Sequence, residues 1–318
     1  MRKVVYIHSA AVDDFVATAL LSTMDVEIQA VLVVNADCIP QPAMDLTSRV
    51  HQFLGLDDIP IALSRSRAWN PFPWGYRSDC ITMGNIDALS GYKSKWSHTD
   101  LDAETVLASI LDEATEPVTI LCVCPITPLI NVITEKNINK VGDIIWMGGT
   151  INVHGNLVGG DPQKTPTTIP GLVANKHAEW NIFYDPFASS TAFEKFSNIK
   201  LFPLDITNYA GLTQDFITKL SRQAKQGHKL SNFALQSYEI CKNYPYYRMW
   251  DTCATCCLAG DADMFSAPEP KKLSIETWGN DMQGGIVTDE SANTQDVYMK
   301  FKNSESFYNY VLQQLRCC

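Results

Sequence analysis

The N-terminal stretch Val4-Val5-Tyr6-Ile7-His8-Ser9-Ala10-Ala11-Val12-Asp13-Asp14-Phe15 decides the fold of this chain. Its apolar half predicts a short β-strand, and the turn that follows leads into a helix headed by two adjacent carboxylates, Asp13 and Asp14. A strand that runs directly into a helix is the building unit of parallel α/β sheets. The carboxylates also have a plain structural explanation, because they can cap the helix and meet the positive end of its dipole.

The same alternation of strands and helices continues along the chain. Apolar runs predict further strands at 26–34, 59–63, 118–123, 143–147 and 200–204, and after residue 185 the pattern otherwise predicts helices. We therefore predict an α/β fold of one domain over residues 1–318, with a mostly parallel central sheet and helices on both faces. In such a sheet the binding site lies at the carboxyl ends of the strands, where Asp13, Asp14 and Asp37 fall.

Composition narrows the class of protein and its partners. The chain has 318 residues and a formal net charge of −10, which does not favour nucleic acid or a membrane surface as partner. It contains no apolar run of about 18 residues that would predict a spanning helix, and its first apolar run leads into the fold rather than resembling a signal peptide. Its ten cysteines include Cys122 and Cys124 on an apolar strand, a context that predicts buried, reduced thiols and hence a cytoplasmic location.

Five further blocks carry a resemblance to a known family. They are Asn35-Ala36-Asp37-Cys38, Ile145-Trp146-Met147-Gly148-Gly149, Gly155-Asn156, the run from Ala178 to Pro186, and Tyr247-Arg248-Met249-Trp250-Asp251. In this order and spacing, and together with the Asp13–Asp14 pair, they resemble the nucleoside hydrolases (N-ribohydrolases), closest to the purine-specific, inosine–adenosine–guanosine-preferring branch. The resemblance covers about residues 3–315. It implies the nucleoside hydrolase fold, hydrolysis of purine nucleosides to base and ribose, and a homodimer or homotetramer.

The resemblance also implies roles for individual residues. Those implied for the nucleoside are Asp13, Met147, Asn156, Glu179 and Asn181 around the ribose, and Asp37, Tyr76 and Trp250 around the base, with Trp74 as an alternative to Tyr76. Those implied for calcium are Asp14, Asp251 and the backbone carbonyl of Val123. Glu179 and Asn181 are expected on an extended stretch, where residues two apart face one way. Taken singly, these residues could equally be caps, turn residues or core packing.

The family fingerprint, D-x-D-x-x-x-D-D, is incomplete in this chain. Ile7 and Ser9 stand at its first two aspartates, the second of which is calcium ligand and general base in the family. A serine hydroxyl is not a base near neutral pH, and calcium prefers six to eight oxygen ligands. Loss of a general base typically costs about 10²–10⁴-fold in rate. His8 is not expected to replace it, because neighbouring residues on a strand face opposite sides.

Two functional hypotheses follow from the incomplete fingerprint. The first is weak or altered hydrolysis of purine nucleosides, with Ser9 at the degraded base position, Trp250 stacking on the leaving base, and a weakened calcium site. The alternative is a catalytically inactive family member that binds a nucleoside or ribose, or acts as a scaffold.

Overall fold

The structure, a computed structural model, describes residues 1–67, 69–70, 72, 77–97, 100–157, 175–279 and 281–317. Its strands form a sheet in the order β3-β2-β1-β4-β5-β6-β9-β7-β8. The strands are β1 (Arg2–His8), β2 (Val26–Asn35), β3 (Ile61–Arg67), β4 (Val118–Cys122), β5 (Val141–Met147), β6 (Ile199–Phe202), β7 (Glu269–Ile275), β8 (Ile286–Thr288) and β9 (Thr294–Val297).

The sheet is parallel from β3 through to β9, and only β7 pairs antiparallel with its neighbours β8 and β9. This confirms the predicted mostly parallel sheet. Helices dominate after residue 185, as the sequence predicts, but the segment 269–297 contributes three strands that the sequence analysis did not identify. β7 begins with four charged or proline residues, β9 is mostly polar, and β8 has only three residues, so they lack the long apolar run that identified the buried strands.

The helices follow the strands in the alternating order that the sequence predicts. They are α1 (Val12–Leu21), α2 (Pro40–Leu54), α3 (Asp79–Met83), α4 (Ala103–Glu113), α5 (Thr127–Val132), α6 (Trp180–Tyr184), α7 (Pro186–Lys195), α8 (Leu204–Thr207), α9 (Gln214–Lys225), α10 (Lys229–Ile240), α11 (Trp250–Thr255) and α12 (Ser304–Gln314). Within the described ranges, none of them is long and apolar enough to cross a membrane.

Side chains that alternate along β1 enter two different apolar layers. Val4 and Tyr6 pack in the layer that contains Phe15 of α1, whereas Val5 and Ile7 pack in the opposite layer. Both layers are covered by helices, as predicted, because successive side chains of a strand point to opposite faces. One consequence is that Ile7 lies in a fully apolar, buried environment.

Strand register brings the ends of three strands together. Ile7 pairs with Leu32 of β2 and with Cys122 of β4. The residues that follow these strands, Ser9, Asp37 and Val123, therefore gather at one edge of the sheet. This edge forms the floor of a large cavity.

Candidate active site

A cavity of about 730 Å³ opens at the carboxyl edge of the sheet. The sequence-predicted residues that line it are Asp37, Val123, Met147, Asn156, Glu179, Asn181, Trp250 and Asp251. Ser9, Asp13 and Asp14 lie behind this wall, each at most 1% exposed. Tyr76 and its alternative Trp74 lie outside the described residues.

Asp14 caps the helix that it begins. Its Oδ2 atom accepts hydrogen bonds from the backbone N–H groups of Ala11, at 2.6 Å, and Ser9, at 3.2 Å, while the Ser9 hydroxyl lies 3.5 Å away. Its Oδ1 atom is buried and has no hydrogen-bond partner. Burial, followed by the charge of Asp37, raises the pKa of Asp14 well above its usual value.

Asp13 caps a second helix, α11, which is far away in sequence. Its carboxylate accepts hydrogen bonds from the backbone N–H groups of Asp251, at 2.8 Å, and Thr252, at 2.9 Å. It also accepts from the hydroxyls of Tyr238, at 2.6 Å, and Thr252, at 2.8 Å. Asp13 therefore fixes the helix that presents Trp250 and Asp251 to the cavity.

The turn between β1 and α1 holds His8 away from the cavity. His8 is fully buried, stacks on Tyr6 with ring centroids 5.0 Å apart, and accepts a hydrogen bond at Nδ1 from the Ala10 N–H at 3.1 Å. Burial lowers the pKa of His8 to about 3. The imidazole is therefore neutral and does not line the cavity, as the alternation of strand side chains predicts.

Asp37 is fixed at the end of β2 by contacts on both sides of it. The Arg77 guanidinium donates to the Cys38 carbonyl at 2.7 Å, and the Tyr184 hydroxyl donates to the Ala36 carbonyl at 3.0 Å. The Oδ1 atom of Asp37 is buried and has no hydrogen-bond partner among the residues that the structure describes. Burial and the charge of Glu179 raise the pKa of Asp37 to about 7, against the lowering effect of the Ser9 hydroxyl. Asp37 therefore lies beside the degraded base position.

Glu179 and Asn181 reach the cavity from a helix start and not from the extended stretch that the sequence predicted. Glu179 is the N-cap of α6 and accepts hydrogen bonds from the N–H groups of Asn181, at 2.9 Å, and Gly149, at 2.8 Å. Burial raises its pKa to about 7. The Asn181 amide donates to the carbonyls of Val123, at 3.2 Å, and Met147, at 3.1 Å. Both residues line the cavity, and their roles toward a ribose stay a prediction.

The binding loop around Asn156 depends on a glycine. A Cβ on Gly155 would lie 2.0 Å from the Ala178 carbonyl oxygen, closer than any real contact. The close approach places Asn156 against α6, where its side-chain oxygen accepts from the Trp180 N–H at 3.1 Å. Gly155 is therefore required by backbone packing, in addition to the role that the resemblance implies for Asn156.

Aromatic rings form much of the remaining wall. Trp250 packs edge-on against Tyr247 with ring centroids 5.1 Å apart, and its indole N–H is buried without a hydrogen-bond partner. On the other side Phe72 packs against Trp180 at 4.9 Å. Sequence reasoning missed the lining residues Phe72, Trp180, Tyr244, Tyr246 and Tyr247. The Tyr244-Pro245-Tyr246-Tyr247 run, which ends three residues before Trp250, was the signal for three of them.

The residues present do not fit a calcium site of the family kind. The Val123 carbonyl already accepts a hydrogen bond from Asn181, and Asp14 has one unpartnered oxygen. Ile7 faces an apolar layer. In the part of the chain that the structure describes, no group of three His, Cys, Asp or Glu side chains is arranged to hold a metal ion. This donor set falls short of the six to eight oxygens that calcium prefers.

Comparison with known proteins identifies the family to which the chain belongs. The family model described as inosine-uridine preferring nucleoside hydrolase matches residues 9–309. The chain belongs to the nucleoside hydrolase family. The structure of an inosine-uridine preferring nucleoside hydrolase from Bacillus anthracis is 29% identical, superposes with a TM-score of 0.86, and covers 99% of both chains.

Curated members of this nucleoside hydrolase family have several named specificities. The pyrimidine-specific ribonucleoside hydrolase RihA of Klebsiella pneumoniae is 24% identical over 87% of this chain and 85% of its own length. The non-specific RihC of Escherichia coli O127:H6 is 25% identical over the same shares. A purine-preferring ribonucleoside hydrolase from Gardnerella vaginalis, 16% identical with a TM-score of 0.78 over 99% of this chain and 98% of its own, shares the fold. The comparisons support the family without selecting the purine branch.

Proposed function

We propose that this nucleoside hydrolase binds a purine nucleoside in the cavity and cleaves its N-glycosidic bond slowly. The observation that carries the proposal is the contrast between two halves of the site. Polar and aromatic side chains suited to ribose and base line the cavity, whereas the position of the general base holds Ser9, bound to Asp14 behind the wall.

The ribose is proposed to lie between the loop of Asn156 and the start of α6. Asn156, Glu179 and Asn181 all line this part of the cavity, and carboxylate and amide groups match the hydroxyls of a sugar. Asp13 does not line the cavity. It stabilises the site indirectly, because its carboxylate fixes the start of helix α11.

The base is proposed to stack on Trp250. Trp250 lines the cavity, and stacking of a base on an aromatic ring is worth about 1–3 kcal/mol. The purine preference stays a prediction, as does assembly into a homodimer or homotetramer.

In the slow reaction, Asp37 is the group proposed to take the proton of the attacking water. It is the cavity carboxylate beside Ser9, and its unpartnered oxygen and pKa of about 7 suit a general base at neutral pH. Trp250 stabilises the departing base by stacking. We route no step through calcium, because the donor set does not fit the ion.

A second candidate is an inactive nucleoside-binding protein. It is favoured by the contacts of Asp13 and Asp14. Each carboxylate caps a helix, so both acids have a structural role that does not require catalysis. The two candidates differ only in turnover.

The test is calorimetric titration with inosine and uridine, together with assay of ribose release. Asn156→Ala is expected to weaken inosine binding about five- to tenfold, because one hydrogen bond contributes about 1 kcal/mol. Asn152→Ala, which removes an exposed side chain of the same loop, serves as control and is expected to bind normally. Absence of nucleoside binding to the unmodified chain would overturn the proposal, and binding without ribose release would favour the inactive candidate.

A further inference from the structure

The loop that carries Asn156 has no regular structure of its own. Residues 150–157 follow the end of β5 and belong to no helix or strand, and the second half of this loop, from Val153 to Leu157, lines the cavity. Such a loop holds a binding side chain in place only where other elements fix its backbone. The contacts of Gly155 and Asn156 fix the end of the loop, so its first half needs an anchor of its own.

A buried carboxylate, Asp205, anchors the first half of the loop. Its Oδ2 atom accepts a hydrogen bond from the backbone N–H of Ile151, at 2.8 Å, and its Oδ1 atom accepts one from the N–H of Asn152, also at 2.8 Å. Hydrogen bonds to an ionised carboxylate are stronger than those to a neutral acceptor. Each of the two oxygens therefore holds one of two successive N–H groups of the loop.

The backbone of Asp205 is itself fixed at the edge of the sheet. Asp205 is the second residue of α8, which begins close to the end of β6. The N–H of Leu204 donates to the Gly149 carbonyl at 2.8 Å, so the start of α8 is bound to the residue that directly precedes the loop. The carboxylate and the beginning of the loop therefore keep a fixed separation.

The chain that follows α8 contacts the aromatic side of the cavity. The N–H of Met249, the residue before Trp250, donates to the Ala210 carbonyl at 2.8 Å. The short stretch 204–210 therefore holds the loop of Asn156 at one end and the start of α11 at the other. These contacts fix the two sides of the cavity relative to each other.

We infer that Asp205 is a positioning residue for nucleoside binding, which acts on the ribose through the 150–157 loop and Asn156. The inference rests on the proposed nucleoside site and adds to it a residue that does not line the cavity. Asp205 lies behind the cavity wall, so its effect on a ligand is indirect.

The role requires both oxygens of an aspartate. In Asp205→Asn one oxygen becomes an NH₂ group, which is a donor and cannot accept from a backbone N–H. The loop then loses one of the two bonds that hold the N–H groups of Ile151 and Asn152. The side chain keeps its size, so the change removes the anchor without opening a cavity.

A double-variant cycle tests whether Asp205 acts through Asn156. Calorimetric titration with inosine compares the unmodified chain, Asp205→Asn, Asn156→Ala and the variant with both changes. Each single change is expected to weaken inosine binding about five- to tenfold, because each removes one hydrogen bond. The double variant is expected to bind as Asn156→Ala does, because the effects of two residues that act through each other do not add.

Glu104→Gln is the matched control, because it makes the same chemical change in a carboxylate outside the cavity. Glu104 accepts hydrogen bonds from the Arg65 N–H, at 3.0 Å, and from the Ser64 hydroxyl, at 2.6 Å. It anchors β3 and not the loop of Asn156. Inosine binding is therefore expected to be the same in Glu104→Gln as in the unmodified chain.

The outcomes separate this inference from the proposed function. Unchanged inosine binding by Asp205→Asn, or multiplication of the two effects in the double variant, would overturn the positioning role and leave the nucleoside site intact. Failure of the unmodified chain to bind inosine would overturn both.

Hydrogen exchange gives a second measurement that holds even if Asp205→Asn does not fold. In the unmodified chain the amides of Ile151 and Asn152 are expected to exchange at least about tenfold more slowly than in an unstructured peptide, because both are bonded to a buried carboxylate. Exchange of the two amides at the unstructured rate would contradict the inference.

Discussion

The Ser9 side chain determines both the hydrogen bonds and the missing charge at the position of the general base. Its hydroxyl lies 3.5 Å from Asp14 and also acts on Asp37, so it keeps the polar contacts of the turn while lacking a charge that could accept a proton. The replacement was visible in the sequence. The position of Asp37 beside it was not, because that proximity depends on the pairing of β1 with β2.

Ala10 stores backbone strain in the same turn. Its φ of 62° lies in the left-handed region, which costs an L-residue with a Cβ about 1–2 kcal/mol. Ala10→Gly is therefore expected to raise the free energy of unfolding by about 0.5–1 kcal/mol, measured by urea denaturation, after allowance for the entropy of glycine. Ala11, with an extended φ of −70°, provides the control. Ala11→Gly is expected to destabilise the chain, and stabilisation by both changes would contradict this account of strain.

At the scale of elements, the strands that sequence predicted best are those buried on both faces. β1 and β4 have continuous apolar runs with buried residues on either side. The strands β7 to β9, at one end of the sheet, are polar or very short and were missed. The helix α6 was missed for another reason. It has five residues and is started by the Glu179 side chain, so local periodicity carries too little signal to identify it.

Asp13 joins two elements that are distant in sequence, and its removal is expected to be costly. Asp13→Ala leaves the buried Tyr238 hydroxyl and the first N–H groups of α11 without an acceptor, because one carboxylate serves them all. We expect a loss of about 3 kcal/mol in the free energy of unfolding. The control is Asp215→Ala in the first turn of α9, where the exposed pair with Lys219 contributes less than about 1 kcal/mol. Equal losses at the two positions would refute the capping role of Asp13.

At the scale of the whole molecule, the sheet gathers carboxylates that no single segment contains. Sequence predicted the fold and eight of the residues that line the cavity, because the fold and the place of the site both follow from strand ends in a parallel sheet. It could not predict the shared electrostatics, which arise only when Asp37, from the β2 end, and Glu179, from the α6 start, are buried in one cavity.

This burial predicts how stability depends on pH. Asp37 and Glu179 have pKa values of about 7 in the folded chain, against about 4 when unfolded. The folded state therefore binds more protons, and the free energy of unfolding falls as pH rises through 7. Between pH 6.5 and 7.5 the expected fall is about 1 kcal/mol. His8 and His51, whose pKa values burial lowers to about 3 and about 4, offset part of this fall, because in the unfolded chain their pKa of about 6.5 lies at the lower end of the window.

Urea unfolding at the two pH values measures this effect. Glu179→Gln, which keeps the shape of the side chain without its charge, is expected to show a smaller fall than the unmodified chain. A rise in stability over the same interval would show that these carboxylates are not held in their neutral form.

The most direct test of the central claim is ribose release from inosine, in the presence of calcium, by the unmodified chain and by Ser9→Asp. The account predicts that Ser9→Asp is at least about 10²-fold faster, because it restores the carboxylate that the water-activating step requires. Ser9→Asn, with the same shape and no base, is expected to remain as slow as the unmodified chain. Hydrolysis by the unmodified chain at a rate equal to or above that of Ser9→Asp would contradict the claim that the site is disabled at its general base.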